Sequence, residues 1–181
     1  MPRLQPPAPG RLICSIVYAQ IDGLADCLKK LEQQFGEVQF ETLDIPFTSE
    51  PRHREEMGHD LTRRFFSFDK MVPRDRLPDL KRICRKIEAG FADQVDDYLF
   101  RTVNVDPGIM TPENVIMASG QGHHYHVYLT NGVYAQIELI WSRGRFVQLP
   151  WTNPDFTHIE AVDFFKRVRE TFDLIKEEAF G

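Results

Sequence analysis

No apolar run in this chain approaches the roughly 18 residues that a membrane-crossing helix needs. The N-terminal MPRLQPPAPGR lacks the apolar centre of a secretion signal, so a cytoplasmic protein is the expectation. Positive charge is not in excess. Lys and Arg number 22 against 27 Asp and Glu, giving a net charge of −5, which speaks against broad nucleic-acid binding. Cysteine is scarce. Cys14, Cys27 and Cys84 have no CxxC spacing, and the first two fall on apolar positions of expected elements, a pattern of buried thiols. There is no GxxxxGK[ST] string for a phosphate-cradling loop and no GxGxxG dinucleotide fingerprint. Gly120-Gln121-Gly122 leads into a strand rather than a helix and carries no lysine. No Ser or Cys stands in a nucleophile elbow, so covalent catalysis has no support.

What is present suits one domain of 181 residues, with 42% hydrophobic residues to build a core. Residues 1–10 form a Pro-rich tail and 11–181 a single domain. Leu12 to Ala19 reads as a strand. A helix follows from Gly23 to Phe35, with Leu24, Cys27, Leu28, Leu31 and Phe35 at helical spacing and Gly36 as its stop. Glu37 to Ile45 reads as a second strand, parallel to the first and either adjacent to it or separated by another strand. After a loop with Thr48 or Ser49 as cap, Arg54 to Phe66 reads as a charged helix, with Met57, Leu61, Phe65 and Phe68 on its apolar side. It is either a lid or a solvated helix. A strong helix spans about 77–91, with Leu80, Ile83, Cys84, Ile87 and Phe91 buried. Tyr98 to Val105 is a strand that Asp106-Pro107-Gly108 ends as a turn. A last helix runs from about Asp163 to Ala179, with Phe164, Phe165, Val168, Phe172 and Ile175 inside. The class is therefore α+β, a single domain with a mixed or mostly antiparallel sheet, a C-terminal three-stranded meander, and helices at 23–35, 77–91 and 158–178 mainly on one face.

The meander carries the best functional pointer. Asn131-Gly132 and Arg143-Gly144 are hairpin signals. With three-residue loops, Tyr128 faces Tyr134, His126 faces Gln136, His124 faces Glu138 and Glu138 faces Gln148. The other face then holds Val127, Ala135, Ile137, Leu139 and Val147, all apolar and expected to be buried. A one-residue slip mixes the faces, so the pattern selects this register.

On the polar face, His126 with Glu138 or Asp106 has the composition of a general acid/base pair. His124, His126 and Glu138 are candidate metal ligands, since alternate strand residues point the same way. The same types equally suit a solvated polar face. Gln136, Gln148 and Asn104 add hydrogen-bonding groups, and Arg101 is either a structural ion pair or an anion hook. Tyr128, Tyr134 and Phe146 share the polar face and offer stacking surfaces, while Trp151 belongs with the apolar face. The leading reading is a small-ligand site for a nucleotide-like or other anionic ligand, possibly enzymatic. The alternative is a non-catalytic module that binds another protein through the exposed sheet face and the 48–70 segment. The sequence names no cofactor and sets no oligomeric state.

Several strings resemble a bacterial and archaeal family filed as a domain of unknown function, some of whose members carry a GTP-binding label. They are Glu56-Met57-Gly58, Ser67-Phe68, the run Arg101 to Gly108 (RTVNVDPG), His126-Val127-Tyr128-Leu129, Gly132-Val133-Tyr134-Ala135, and Leu149-Pro150-Trp151-Thr152 with Pro154-Asp155. They span nearly the whole chain. The chain departs from the pattern at Val127, where a basic residue is expected, and at His123-His124. The resemblance implies no established activity, and without a phosphate-cradling loop it does not imply GTPase chemistry of the P-loop kind.

Overall fold

Strand β1, Gly10–Tyr18, is buried at every residue, the mark of a strand covered on both faces. Leu12, Cys14, Ile16 and Tyr18 enter one apolar cluster and Ile13 enters a second, as the two-residue period of a strand requires. The computed structural model describes the backbone of residues 3–48, 51–95 and 98–180, with side chains other than those at 22, 51, 52, 95, 98, 99 and 175–180.

Helix α1 (Ile21–Phe35) packs Leu24, Cys27, Leu31 and Phe35 on the first cluster, and Gly36 at φ 90° turns the chain out of it. The chain continues through β2 (Val38–Glu41), β3 (Ile45–Pro46), α2 (Pro51–Met57), β4 (Thr62–Val72) and α3 (Leu77–Ala89). β4 pairs antiparallel with both β1 and β2, so β1 and β2 run parallel with β4 between them. A small separate hairpin, β5 (Ala92–Val95) and β6 (Tyr98–Arg101), precedes β7 (Val103–Met110), which joins the free side of β1. The order β7-β1-β4-β2, with α1 and α3 on one face, is the split β-α-β or ferredoxin-like arrangement. Beyond β7 the sheet extends through β8 (Asn114–Ser119), β10 (Val133–Ser142) and β11 (Arg145–Gln148), with β9 (Val127–Thr130) also on β10. Every pairing is antiparallel. α4 (Ile159–Phe180) covers the opposite face, where Phe164, Phe165, Val168 and Phe172 meet Phe65, Met110, Val115 and Leu139. Thus two of the three long helices share a face and the C-terminal one does not. Ile175, expected in its buried stripe, and Ser49, a candidate cap, lie outside the described side chains.

The helix expected over Arg54–Phe66 is a correction. α2 stops at Met57, where Gly58 and Asp60 take positive φ (86° and 57°), and residues 62–72 are a core strand. Phe65 and Phe66 enter opposite apolar clusters. A strand buried on both faces has no polar alternation to separate it from a helix. The expected strand over Glu37–Ile45 is also broken, leaving Leu43 68% exposed between β2 and β3.

The meander holds three strands, but not in the expected arrangement. β8 pairs with β10 from Tyr134 to Ile140, so β9 and β11 lie end to end on the other edge of β10. At the first hairpin Val133 faces Thr130 across a two-residue loop, Asn131-Gly132, where three residues were expected; a register shift next to Val133 then brings Tyr134 opposite Tyr128 and Ala135 opposite Val127, as expected. At the second, Arg143 (φ 51°) and Gly144 (φ 76°) form a two-residue loop that suits the strand twist. Leu139 therefore faces Gln148, one residue from the expected Val147. Of the five apolar residues expected to be buried, Leu139 is; Val127 and Ile137 are 65% and 40% exposed, because no layer covers them, and Ala135 and Val147 are half-buried.

Candidate functional site

β7 and β8 pair only at Gly108, Ile109 and Met110. At Gly108 the strands approach so closely that an added Cβ would sit 2.7 Å from the Ile116 carbonyl and strike the Met117 sulfur. From Pro107 back to Val103 the strands part. Pro107 has no N–H to leave unpaired, which suits a residue at an open edge. Asp106-Pro107-Gly108 thus marks the fork in the sheet, not the end of the strand, and β7 runs on to Met110.

α3 closes the open edge of β7 with side chains. Lys81 and Glu88 lie two turns apart on one helix face. The Val105 N–H donates to Glu88 Oε1 at 2.5 Å, and Lys81 Nζ donates to the Val105 carbonyl at 3.2 Å. Lys81 Nζ also pairs with Asp106 Oδ1 at 2.5 Å, while Asn104 Nδ2 donates to Asp106 Oδ2 at 2.7 Å. Arg101 reaches the same network, at 2.7 Å from both Glu56 Oε2 and Asn104 Oδ1. Strand parity would separate Arg101 from Asn104, but the strand breaks at Thr102, whose N–H donates to the Phe91 carbonyl, and the two meet.

The opposite wall is built on a bulge. The β8 ladder shifts between Ile137 and Leu139, leaving Glu138 as the extra residue. Between β9 and β11 the outer edge of β10 is finished by a loop: Trp151 Nε1 donates to the Ile137 carbonyl at 2.9 Å and Thr152 Oγ1 to the Glu138 carbonyl at 2.5 Å. The Glu138 carboxylate accepts from the Asn153 N–H at 3.1 Å and from Gln136 Nε2 at 2.9 Å. His126 Nε2 lies 2.5 Å from Gln136 Oε1, and its Nδ1 lies 2.6 Å from the Gln121 carbonyl. Trp151 stacks on Tyr125 with ring centroids 5.5 Å apart and planes 3° from parallel. Arg63 pairs with buried Asp155 at 3.2 Å and lies over the Phe47 ring.

These walls enclose a cleft of about 500 Å³. Burial raises the Glu138 carboxyl to about 7, against the Asn153 N–H and Arg63, with Asp106 adding to the rise. Asp106 goes the other way. Burial works to raise it, but the Lys81 charge and hydrogen bond and the Asn104 amide outweigh that and hold it below the usual carboxylate range. It lies deep in the protein yet keeps 32% of its side chain open to the cleft. Burial also raises Glu88 and Asp155.

Of the residues singled out from sequence, His126, Glu138, Asp106, Gln136, Asn104 and Arg101 line this one cleft. His124 and Gln148 do not. His124 lies in the turn before β9, exposed, and Gln148 faces solvent on β11. Tyr128 and Tyr134 meet edge to face at 5.3 Å outside the cleft, with Tyr128 58% exposed. Phe146 packs with Trp141 and Phe165 under α4 instead of joining them. Trp151 is a half-exposed rim residue. The metal trio of His124, His126 and Glu138 does not assemble, and among the described residues no group of three or more His, Cys, Asp or Glu is placed to hold a metal ion. The three cysteines are free and buried in the first apolar cluster. Sequence reasoning missed Lys81, Glu88 and Arg63. Charged positions within apolar helix and strand runs were the available signal.

The chain is thus an α+β domain with a ferredoxin-like half, a C-terminal extension of the sheet and a polar cleft at the fork between them. It belongs to the family described as domain of unknown function DUF4416, whose pattern matches residues 8–172. No curated protein and no solved structure matches it. Among the described residues no helix is long and apolar enough to cross a membrane.

Proposed function

We propose that the cleft at the sheet fork binds a small anionic ligand and carries acid/base chemistry on it. The observation that carries this reading is the pair of carboxyl groups with opposed environments: Glu138 held near neutrality and Asp106 held ionised, in one cleft. Two titratable groups pushed apart in this way divide the acid and base roles. Lys81, Arg63, Arg85 and Arg101 line the cleft against Glu88, Asp106 and Glu138, and two of those three carboxyls are raised. That balance favours an anionic ligand, of which a nucleotide-like molecule is one kind. The Ser15 hydroxyl, buried and without a hydrogen-bond partner among the described residues, offers a further contact in the cleft. Tyr125 and Trp151 supply an aromatic rim.

The protein-docking alternative has less to stand on. In the 48–70 segment, residues 62–70 belong to core strand β4, and both faces of the central sheet are covered. The exposed apolar residues of the meander are Val127, Tyr128 and Leu129 on β9 and Ile137 on β10, with Trp151 beside them. Thermal melts against nucleotides, sugar phosphates and dicarboxylates test the reading. A melting-point rise with one of these probes, lost in His126→Ala while the unliganded melt stays within a few degrees, is the expected result. A His126→Ala variant that melts far lower, with no probe shifting the parent protein, overturns it.

A further inference from the structure

The line from the cleft mouth to its floor runs Gln121 carbonyl, His126, Gln136, Glu138, Asn153 N–H, with every link within hydrogen-bond reach. Its two ends are fixed by backbone groups that cannot change role. A carbonyl only accepts, so His126 Nδ1 carries a proton and donates it to Gln121. A backbone N–H only donates, so Glu138 Oε2 accepts from Asn153. Between them stands one carboxamide, with an oxygen at one end and an NH2 at the other.

Two arrangements satisfy every group. In the first, Gln136 turns its oxygen to His126 and its NH2 to Glu138. His126 then holds protons on both ring nitrogens, and Glu138 is ionised. In the second, the carboxamide is turned by about half a revolution. Its NH2 donates to an unprotonated His126 Nε2, and its oxygen accepts a proton carried on Glu138 Oε1. The proton count is the same in both: one proton leaves His126 Nε2 and one arrives on Glu138. With that shared proton removed, the carboxamide oxygen must face either the carboxylate or the unprotonated His126 Nε2; both only accept, so neither orientation works.

The geometry points to Gln136 as an amide switch that makes His126 and Glu138 share one proton, so that the buried carboxyl exchanges it with the half-exposed imidazole at the mouth. This rests on the acid/base reading of the cleft and supplies what that reading needs. Glu138 is 5% exposed, and a buried acid or base must be reset after each turnover. Gln136 does not itself touch the reacting atoms in this scheme; it is a positioning residue. The charged groups facing Glu138 are Arg63 from β4 and Asp106 from β7. Those around the His126 ring are aromatic: His123, Tyr125 and Tyr134.

The test is a titration of the unliganded full chain, followed by the imidazole nitrogens of His126 and the side-chain carboxyl carbon of Glu138 in NMR. In the parent protein the two signals should move together over the same pH interval, as a coupled pair does. Glu138→Gln should displace the His126 titration by at least half a pH unit. In Gln136→Met, which keeps the length and removes both polar atoms, that dependence should vanish and the two titrations should separate. Gln136→Asn, too short to span both partners, should behave like Gln136→Met and serves if the Met variant fails to fold. Independent titrations in the parent protein, or a His126 midpoint that ignores both Glu138→Gln and Gln136→Met, overturn the relay. No ligand enters this experiment, so its failure leaves the ligand-binding reading standing, and a cleft that binds nothing does not affect its outcome.

Discussion

The two halves of β7 contrast sharply. From Gly108 to Met110 the strand is laddered on both edges and wholly apolar in its surroundings. From Val103 to Pro107 one edge is open, and side chains of α3 do the work of a neighbouring strand. The first half is held by close backbone approach, the second by buried charge. Sheet architecture is insensitive to chemistry where strands meet, and opens a polar cleft where they part. The same fork gives Asp106 a lysine partner and leaves room for a ligand above it.

The largest way to break this contrast is Lys81→Ala. It leaves Asp106 without its cation and the Val105 carbonyl without its donor, and should cost about 3 kcal/mol in a denaturant melt. A loss below about 1 kcal/mol would mean that the open edge does not depend on α3. Next is Gly108→Ala, which pushes a methyl group against the Met117 sulfur and the Ile116 carbonyl. It should cost about 2 kcal/mol by overpacking, and leave the Lys81–Asp106 pair intact. Glu138→Gln sharpens the comparison through pH. Burial raises the folded-state value of Glu138 to about 7, so the folded protein holds this proton more tightly than the unfolded chain. Its contribution is fully present below the unfolded value and is lost as pH rises through about 7. The variant should therefore gain on the parent by on the order of 2 kcal/mol between pH 5 and pH 8. Asp106, lowered by Lys81 against its burial, behaves oppositely: its contribution is present at neutral pH and lost on acidification through its folded value. The smallest effect belongs to His124→Ala and Gln148→Ala, exposed and outside the cleft. Both should stay within about 0.5 kcal/mol of the parent and leave any ligand shift unchanged.

Local periodicity made α1, α3 and α4 legible, because each buries one stripe and exposes the rest. β4 was not, because burial on both faces erases the alternation that distinguishes strands. The first hairpin register was legible near Tyr128 and Tyr134. The second was not: both turns are two-residue loops with nearly the same pair of positive φ values, and the expected register returns only at the first, through the shift beside Val133. His126, Gln136 and Glu138 were rightly grouped on parity, although the Glu138 bulge then carries Leu139 to the same side of β10 as Gln136. Asp106 lay in a string that reads as a turn anywhere else. Lys81 and Glu88 were hidden for a different reason: their role depends on which strand edge α3 crosses, and that is a property of the packed molecule.

The Val105 amide has a further consequence. Its hydrogen-bond acceptor is a carboxylate from a helix, where its neighbours in the sheet have carbonyls. A carbonyl keeps its strength across the pH scale; the Glu88 carboxylate does not. The exchange rate and chemical shift of that one backbone proton therefore follow the ionisation of a buried acid, and a single cross-peak becomes an internal gauge of the charge state of the cleft floor.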